Sequence, residues 1–226
     1  MVRESYRQQL AELSDTVLSM GNLVASRLGK GLEALRDPDP ELIEELFLGD
    51  EEVDRLYSEI ERRCIDLLAL QQPVAVDLRL ITASFKISTD IERVGDIAVN
   101  LGQYARNYHL NLKLLPHEEL FSIGDLVTTM FYECLKAYYD RNVSRAEEVI
   151  ELDEQVDRMF WVLITQLIED LLGSDSDSGA GDRREEVVTG AVALLLSIRD
   201  LERVADHAVN IAARTIYMVE SRSDYI

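Results

Sequence analysis

The chain has 226 residues and a formal net charge of −20, because 43 acidic side chains outnumber 23 basic ones. This excess argues against nucleic acid as the principal partner, since phosphate contacts need concentrated Lys and Arg, and it points instead to cations, a basic protein surface or a salty cytoplasm. With 47% hydrophobic residues the chain can bury a substantial core, and we expect a cytoplasmic protein because the sequence contains neither a membrane-spanning apolar run nor a signal-peptide core.

Three helices are predicted for the first half of the chain. Hydrophobic residues three and four positions apart predict the first helix over residues 3–35. Pro38 ends it, because proline disfavours the helical state of the preceding residue and supplies no N–H to the helix. The second helix is predicted over 41–71 and the third over 75–108, with Pro73 at the corner between them.

The second half repeats this pattern after a linker at 111–116. Hydrophobic periodicity predicts helices over 117–140, 144–172 and 183–220. The Gly-, Ser- and Asp-rich residues 173–182 are predicted to form a loop. No segment shows the alternation of a β-strand, so the predicted fold class is all-α.

An internal repeat relates the two halves. Residues 90–100 read DIERVGDIAVN, and residues 200–210 read DLERVADHAVN, an interval of 110. We therefore predict two domains, 1–112 and 113–226, each an antiparallel three-helix bundle. The six long helices form two tandem bundles related by a pseudo-two-fold repeat.

The spacing of acidic residues in the repeat predicts a site. Glu92 and Asp96 are four residues apart, which on a helix places the carboxylates on one face, where like charges repel. Asp54 lies 17 residues before the predicted helix end (71 − 54), and Glu92 lies 17 after the next start (92 − 75). Because residues equally far from a turn lie level in an antiparallel pair, Asp50 and Asp54 are predicted to lie beside Glu92 and Asp96.

The second half offers the same arrangement. Asp153 and Asp157 are four residues apart in the fifth helix, and Glu202 and Asp206 are four apart in the sixth. When residues are counted from the predicted helix ends, the heights of the acids on the fifth and sixth helices agree only to within about one helical turn. The predicted metal ligands are therefore Asp50, Asp54, Glu92 and Asp96 in the first half and Asp153, Asp157, Glu202 and Asp206 in the second.

Four carboxylates converging from two helices form an all-oxygen site, which suits hard cations and also iron when carboxylates bridge several ions. The metal stays open among iron, zinc, magnesium, manganese and calcium. Asn100 and Asn210 are candidates to orient or join the ligands, and His207 is a candidate nitrogen ligand in the second half only. The alternative interpretation is a solvated acidic face, neutralised by Arg55, Arg93, Arg158 and Arg203.

These motifs and their neighbours resemble the PhoU family. The resemblance rests on MG at 20–21, DEEVD at 50–54, LALQQPVAVDLR at 68–79, ERVGD at 92–96 and its copy ERVADHAVN at 202–210. It covers nearly the whole chain. The second half departs from it, because the Gly- and Ser-rich loop replaces the QQPVA corner.

The resemblance implies two three-helix bundles with surface metal sites on the paired E(D)xxxD motifs. Members of the family hold the phosphate uptake system and its sensor kinase in the off state when phosphate is plentiful. We therefore expect a cytoplasmic regulator of phosphate uptake and phosphate-starvation signalling. Its expected partners are the phosphate-transporter ATPase and the sensor kinase, with no nucleic acid, only indirect membrane contact, and a homodimer left open.

The alternative is a metal-carboxylate bundle for ion storage or di-metal catalysis, unrelated to phosphate signalling. A ferritin-like di-iron enzyme needs Glu-x-x-His pairs, whereas Arg106, Leu114 and Val204 stand three residues before the three histidines. The sequence shows no nucleophile with an adjacent base, no glycine-rich phosphate loop and no zinc cluster. We therefore predict no catalytic residues.

Several other side chains carry structural predictions. Cys64 and Cys134 are predicted to be buried thiols, because they lie far apart with no CxxC spacing. Arg79 has either a structural role near the corner or a partner contact. The aromatic residues predicted to pack in the core or between the bundles are Tyr104, Tyr108, Tyr138, Tyr139 and Trp161.

Overall fold

The computed structural model describes residues 2–107, 117–174, 181–222 and 224–225, and within these ranges the chain is helical with no β-strand. The all-α fold is thereby confirmed. None of the described helices combines the length and apolarity needed to cross a membrane. The predicted linker at 111–116, the domain boundary between 112 and 113, and Tyr108 lie outside the described residues. The helices are α1 (Val2–Arg36), α2 (Pro40–Leu48), α3 (Asp50–Gln71), α4 (Ala75–Asn107), α5 (His117–Asp140), α6 (Val143–Ser174) and α7 (Gly181–Glu220).

One predicted helix is divided in two. The sequence predicts a continuous helix over 41–71, but the structure separates α2 from α3 at Gly49. In a continuous helix the Leu46 carbonyl would accept the N–H of Asp50. Here Arg27 Nη2 donates to that carbonyl at 2.7 Å, and a Cβ at Gly49 would clash with the Arg27 guanidinium. A buried arginine from α1 therefore accompanies the break.

The helices form two three-helix bundles. Helices α1, α3 and α4 pack together as the first, with the short α2 against α1 and α4, and helices α5, α6 and α7 form the second. The bundles join where α1 packs against α5 and α4 packs against α7. Helices α3 and α6 lie on the outer sides of this central group. The predicted pair of bundles is confirmed.

Reciprocal contacts between α1 and α5 display the two-fold-like relation. A Cβ at Gly21 would lie 2.6 Å from Leu135, and a Cβ at Gly124 would lie 2.7 Å from Leu32. Gly21 and Gly124 are 103 residues apart (124 − 21), and so are Leu32 and Leu135 (135 − 32). Each half thus presents a glycine to the equivalent leucine of the other half, which permits close approach of the helices.

The predicted burial of individual side chains is partly confirmed. Cys64 and Cys134 are free and buried, and Tyr138 is fully enclosed in the core. The prediction is wrong for Trp161, which is 66% exposed. Tyr139 is 44% exposed, but its hydroxyl donates to Oδ1 of Asp15 on α1 at 2.9 Å, so it lies between the bundles. Helix α6 packs against α5 and α7 with one side and leaves its outer side in solvent, where Trp161 lies.

Candidate metal centres

The structure brings the four predicted ligands of the first half together between α3 and α4. We call Asp50, Asp54, Glu92 and Asp96 the first carboxylate cluster. Burial raises the pKa of Asp50, and the nearby Asp54 and Asp96 carboxylates add to that rise. Burial also raises the pKa of Glu92, as do the other three carboxylates. Because a nearby like charge disfavours ionisation, carboxylates on each helix act on Asp50 of α3 and Glu92 of α4.

A buried arginine from α1 lies against the first carboxylate cluster. Arg27 is 5% exposed, and its Nη2 lies 3.4 Å from Oδ1 of Asp50. This guanidinium opposes the rise in the pKa of Asp50, while burial lowers the pKa of Arg27 itself. The sequence signal for this contact is an arginine three residues after Val24 and one before Leu28, on the buried stripe of α1.

The second carboxylate cluster comprises Asp153, Asp157, Glu202 and Asp206, which lie between α6 and α7. Burial raises the pKa of Asp153, and the Asp157 and Asp206 carboxylates raise it further. Burial likewise raises the pKa of Glu202, with further rises from the other three acids. The predicted pairs of the second half are therefore also brought together, despite the looser count from the helix ends.

The two clusters differ in the side chain that packs from α1 or α5. The 103-residue interval that relates Gly21 to Gly124 also relates Asp50 to Asp153, and it relates Arg27 to Met130. Met130 is fully buried. The first cluster therefore has a buried cation beside one of its carboxylates, whereas the matching position in the second half is apolar. The second cluster has no buried cation at this position, although Arg203 opposes the rise in the pKa of Glu202 and Asp206.

The carboxylates are close enough to interact without being closed around an ion. In the part of the chain that the structure describes, no group of three or more His, Cys, Asp or Glu side chains is arranged to hold a metal. Arg93 lies 3.5 Å from Glu92 and 3.6 Å from Asp96, so it partly neutralises the first cluster. Of the other three arginines predicted to neutralise the clusters, Arg55 pairs with Glu52 and Glu59, and Arg158 pairs with Glu154. Arg203 pairs with Asp200 and also opposes the rise in the pKa of Glu202 and Asp206 in the second cluster.

Comparison with known proteins assigns both halves to one family. The family model of the PhoU domain matches residues 17–105 and again residues 120–215. The chain belongs to the PhoU domain family. Two PhoU relatives, each named "Phosphate-specific transport system accessory protein PhoU homolog", align over almost the whole chain. The one from Clostridium acetobutylicum is 30% identical over 98% of this chain and 97% of its own length. The one from Caulobacter vibrioides is 33% identical over 92% and 87%.

Solved PhoU structures share the complete fold. The crystal structure of PhoU from Pseudomonas aeruginosa superposes with a TM-score of 0.85 at 27% identity, covering 96% of this chain and 100% of that one. The phosphate transport system regulatory protein PhoU from Streptococcus pneumoniae gives 0.82 at 28% identity, covering 96% and 98%. The paired arrangement of PhoU repeats is therefore the fold of this chain.

The PhoU repeats meet at a buried carboxylate on each side of the α4–α7 contact. Asp90 of α4 is 5% exposed, and its Oδ1 lies 3.0 Å from Nδ1 of His207 on α7. Asp90 also forms an ion pair with Arg214. Burial lowers the pKa of His207. His207 is the residue that the sequence predicts as a candidate nitrogen ligand for the second cluster. Its Nδ1 atom is instead in contact with Asp90.

Asp200 is the second buried carboxylate, on α7. The Tyr104 hydroxyl donates to its Oδ2 at 2.9 Å, and the Asn100 amide donates to the same oxygen at 3.3 Å. Arg199 and Arg203 approach the other oxygen at 3.1 and 3.3 Å. Burial and the bond to Asp200 raise the pKa of Tyr104 to about 12. Asn100 thus serves the contact between the repeats.

The two interface carboxylates are equivalents in the repeat. Asp90 and Asp200 are 110 residues apart, and so are Tyr104 and Arg214. The ion pair of Arg214 with Asp90 therefore takes the place that the hydrogen bond of the Tyr104 hydroxyl to Asp200 has on the other side. The signal in the sequence is an aspartate that opens both copies of the motif. Arg79 joins the same junction by donating to a carbonyl near the end of α7 at 3.2 Å, which supports its structural interpretation.

Proposed function

We propose that this chain regulates phosphate uptake and phosphate-starvation signalling. The observation that carries the proposal is the match of the PhoU domain to both halves. Relatives that align over nearly its full length are named as accessory proteins of a phosphate-specific transport system. The whole chain, and not one domain of it, therefore corresponds to proteins of that name.

The regulation acts through protein contacts in the cytoplasm and not through a catalytic step. Its partners are the ATPase of the phosphate transporter and the phosphate sensor kinase. A net charge of −20 favours partner surfaces that carry Lys and Arg, because complementary potentials speed association and disfavour wrong partners.

The proposal includes a divalent or multinuclear metal ion at each carboxylate cluster. Support comes from the raised pKa values of Asp50, Glu92, Asp153 and Glu202, since a cation between like charges would relieve their repulsion. Carboxylate oxygens fit hard cations and bridged iron. The side chains of each cluster would close around the ion from the two facing helices.

Co-purification tests the partner assignment. The chain would be tagged and isolated from cells grown at high and at low phosphate, and the transporter ATPase would be detected by immunoblot. We expect association at high phosphate and derepressed phosphate-starvation genes in a deletion strain. An unrelated acidic helical protein with the same tag is the control. Absence of the ATPase under both conditions, together with normal repression in the deletion strain, would contradict the proposal.

Elemental analysis tests the metal assignment separately. Native protein would be compared with two matched variants, in which the four acids of one cluster are replaced by Asn or Gln. We expect each variant to lose the metal of its own cluster and retain the other. Equal metal content in all three proteins would mean that the clusters are only charged faces, and this result would leave the partner assignment unaffected.

A further inference from the structure

One buried arginine connects the first carboxylate cluster to the short helix α2. Arg27 of α1 is 5% exposed, and its Nη2 donates to the Leu46 carbonyl in the last turn of α2 at 2.7 Å. The same nitrogen lies 3.4 Å from Oδ1 of Asp50, which is the first residue of α3 and a member of the cluster. Because one nitrogen contacts both groups, a change at Asp50 can reach α2 through a single side chain.

The charge of Arg27 depends on Asp50. Among the described residues, Asp50 is the acid with which Arg27 forms an ion pair. The Nε of Arg27 is buried and has no hydrogen-bond partner in that part of the chain. A buried cation without its counter-charge is strongly unfavourable, so we expect the guanidinium to move when Asp50 is withdrawn from it. The Leu46 carbonyl would then lose its donor.

Helix α2 needs contacts of this kind to stay ordered. It has nine residues, Pro40–Leu48, and buries Ile43 and Leu46. A helix of this length is unstable in water by itself, so its order depends on the rest of the fold. The Leu46 carbonyl also belongs to the last turn, where carbonyls have no partner within the helix. Loss of the bond from Arg27 would therefore loosen the end of α2.

The second repeat lacks this connection. Helix α6 runs unbroken through the matching positions, where Leu152 stands for Gly49 at the interval of 103. Met130 stands for Arg27 and is fully buried. An apolar side chain neither donates to a carbonyl nor pairs with a carboxylate. The second repeat is therefore a built-in control, with equivalent acids but without the helix break and the buried cation.

We propose that Arg27 couples the state of the first carboxylate cluster to the conformation of α2. When a cation draws Asp50 away, Arg27 releases the Leu46 carbonyl and the last turn of α2 opens. A divalent cation would favour this change twice, because it takes the counter-charge of Arg27 and repels the guanidinium. This trigger rests on the metal of the proposed function, whereas the link between Asp50 and α2 does not.

Opening of α2 would change the surface of the first repeat. Glu44 and Leu48 are exposed on the outer side of α2, and Leu48 is 72% exposed. A protein that contacts this helix would meet different surfaces in the two states of the cluster. The second repeat would keep one surface, because α6 continues through the equivalent positions.

Asp50→Asn tests the link in chelator-treated protein, without any metal. Asparagine removes the charge at nearly the same volume, so Arg27 loses its ion pair. Hydrogen–deuterium exchange with mass spectrometry follows the peptide that covers 40–49. We expect its protected amides to exchange about tenfold faster than in the wild type, because the Leu46 carbonyl loses a bond from a charged donor.

Two controls separate this link from a general loss of negative charge. Glu51→Gln removes an exposed acid from the same first turn of α3, so it tests the effect of charge on the helix end. Asp153→Asn removes the equivalent of Asp50 in the second repeat. Each should change the exchange of its own repeat, at 40–49 or at 143–152, by less than about twofold.

Addition of Mn²⁺ tests the trigger. In the wild type, saturating Mn²⁺ should speed the exchange of 40–49 by about tenfold and leave 143–152 unchanged. Arg27→Gln removes the charge and keeps a donor for the Leu46 carbonyl, so it should abolish this response. Elemental analysis of the same samples shows whether the first cluster of each protein holds Mn²⁺.

Three results would overturn the proposal. If Asp50→Asn changed the exchange of α2 no more than Glu51→Gln does, Arg27 would not link Asp50 to α2. Slower or unchanged exchange of α2 with Mn²⁺ bound would exclude opening by a cation. A response to Mn²⁺ that persisted in Arg27→Gln would assign the coupling to another contact.

Failure of the metal assignment gives a different result. If elemental analysis found no Mn²⁺ at the first cluster, the metal of the proposed function and the cation trigger would both be wrong. The comparison of Asp50→Asn with Glu51→Gln would still decide whether Arg27 links Asp50 to α2, because it is made on metal-free protein.

Discussion

The first and second carboxylate clusters place equivalent acids on equivalent pairs of helices, α3 with α4 and α6 with α7, and they differ in what packs against them. Arg27 pairs with Asp50 in the first, whereas Met130 fills the matching place in the second. The same arginine also binds the Leu46 carbonyl at the break between α2 and α3. The difference teaches that one buried side chain can contact both the backbone beside a site and a charged group within it.

The contact between the repeats is asymmetric in a similar way. Asp90 is held by a cation and a histidine, whereas its equivalent Asp200 accepts bonds from a phenol and an amide, with two partly exposed arginines at its other oxygen. A buried carboxylate costs free energy unless it is paired and hydrogen-bonded. The same junction is therefore stabilised by different chemistry on its two sides.

The largest effect is expected from Arg214→Met. It leaves Asp90 buried without its cation, so we expect the free energy of unfolding to fall by about 4 kcal/mol. Urea denaturation followed by circular dichroism measures it. As a control, Arg222→Met removes a surface ion pair with Glu147 and should cost less than about 1 kcal/mol. If Arg214→Met lowered the free energy of unfolding as little as the control does, the ion pair between Arg214 and Asp90 would contribute little to the stability of the fold.

Tyr104→Phe tests the equivalent position on the other side of the junction. It removes one bond to a buried carboxylate that keeps its other partners, so we expect a loss of about 2 kcal/mol. The same denaturation experiment measures it, with Tyr217→Phe, a partly exposed tyrosine, as the control. If Tyr104→Phe cost as much as Arg214→Met, the two sides of the junction would be energetically alike.

Arg27→Gln tests the difference between the clusters. Glutamine removes the charge and keeps a donor for the Leu46 carbonyl, so we expect the first cluster to bind Mn²⁺ about fivefold more tightly. Calorimetric titration in a background with the second cluster replaced by amides isolates this site. Lys136→Gln on α5, whose ammonium pairs with Glu133, is the control. An unchanged affinity would mean that Arg27 acts on the backbone only.

The smallest effect is expected in the pH dependence of the metal-free protein. Burial and mutual repulsion raise the folded-state pKa of Asp50, Glu92, Asp153 and Glu202 above their unfolded values. The folded state then binds more protons, so these groups lower the stability as pH rises from their ordinary pKa through the raised one. Replacing the second cluster by amides should flatten this part of the curve more than replacing the first, because Arg27 already opposes the rise at Asp50.

Thermal unfolding of chelator-treated protein between about pH 4 and pH 7 measures this contribution as the difference between wild type and each amide variant. The two variants are controls for each other, since each removes four acids from an equivalent place. An equal flattening by both would show that Arg27 and Met130 make no electrostatic difference.

Helix periodicity predicted the placement of the clusters because that placement depends on short-range geometry. Helix α3 ends at Gln71 and α4 begins at Ala75, as the corner at Pro73 predicts, so counting residues from the turn brought Asp54 level with Glu92. Trp161 was mispredicted because α6 carries apolar residues on more than one side, and periodicity does not say which side meets a neighbour.

The sequence by itself determined the all-α fold, the repeat and the pairing of acids, since these follow from a constant rise per residue and from two copies of one motif. Only the tertiary structure decided that Arg27 binds the backbone at the break between α2 and α3, that Asp90 and Asp200 join the repeats, and that one apolar stripe of α6 stays in water. Those outcomes depend on which helix faces meet across many residues of chain. A local pattern of residue types does not encode that choice, because it is made by packing all the helices at once.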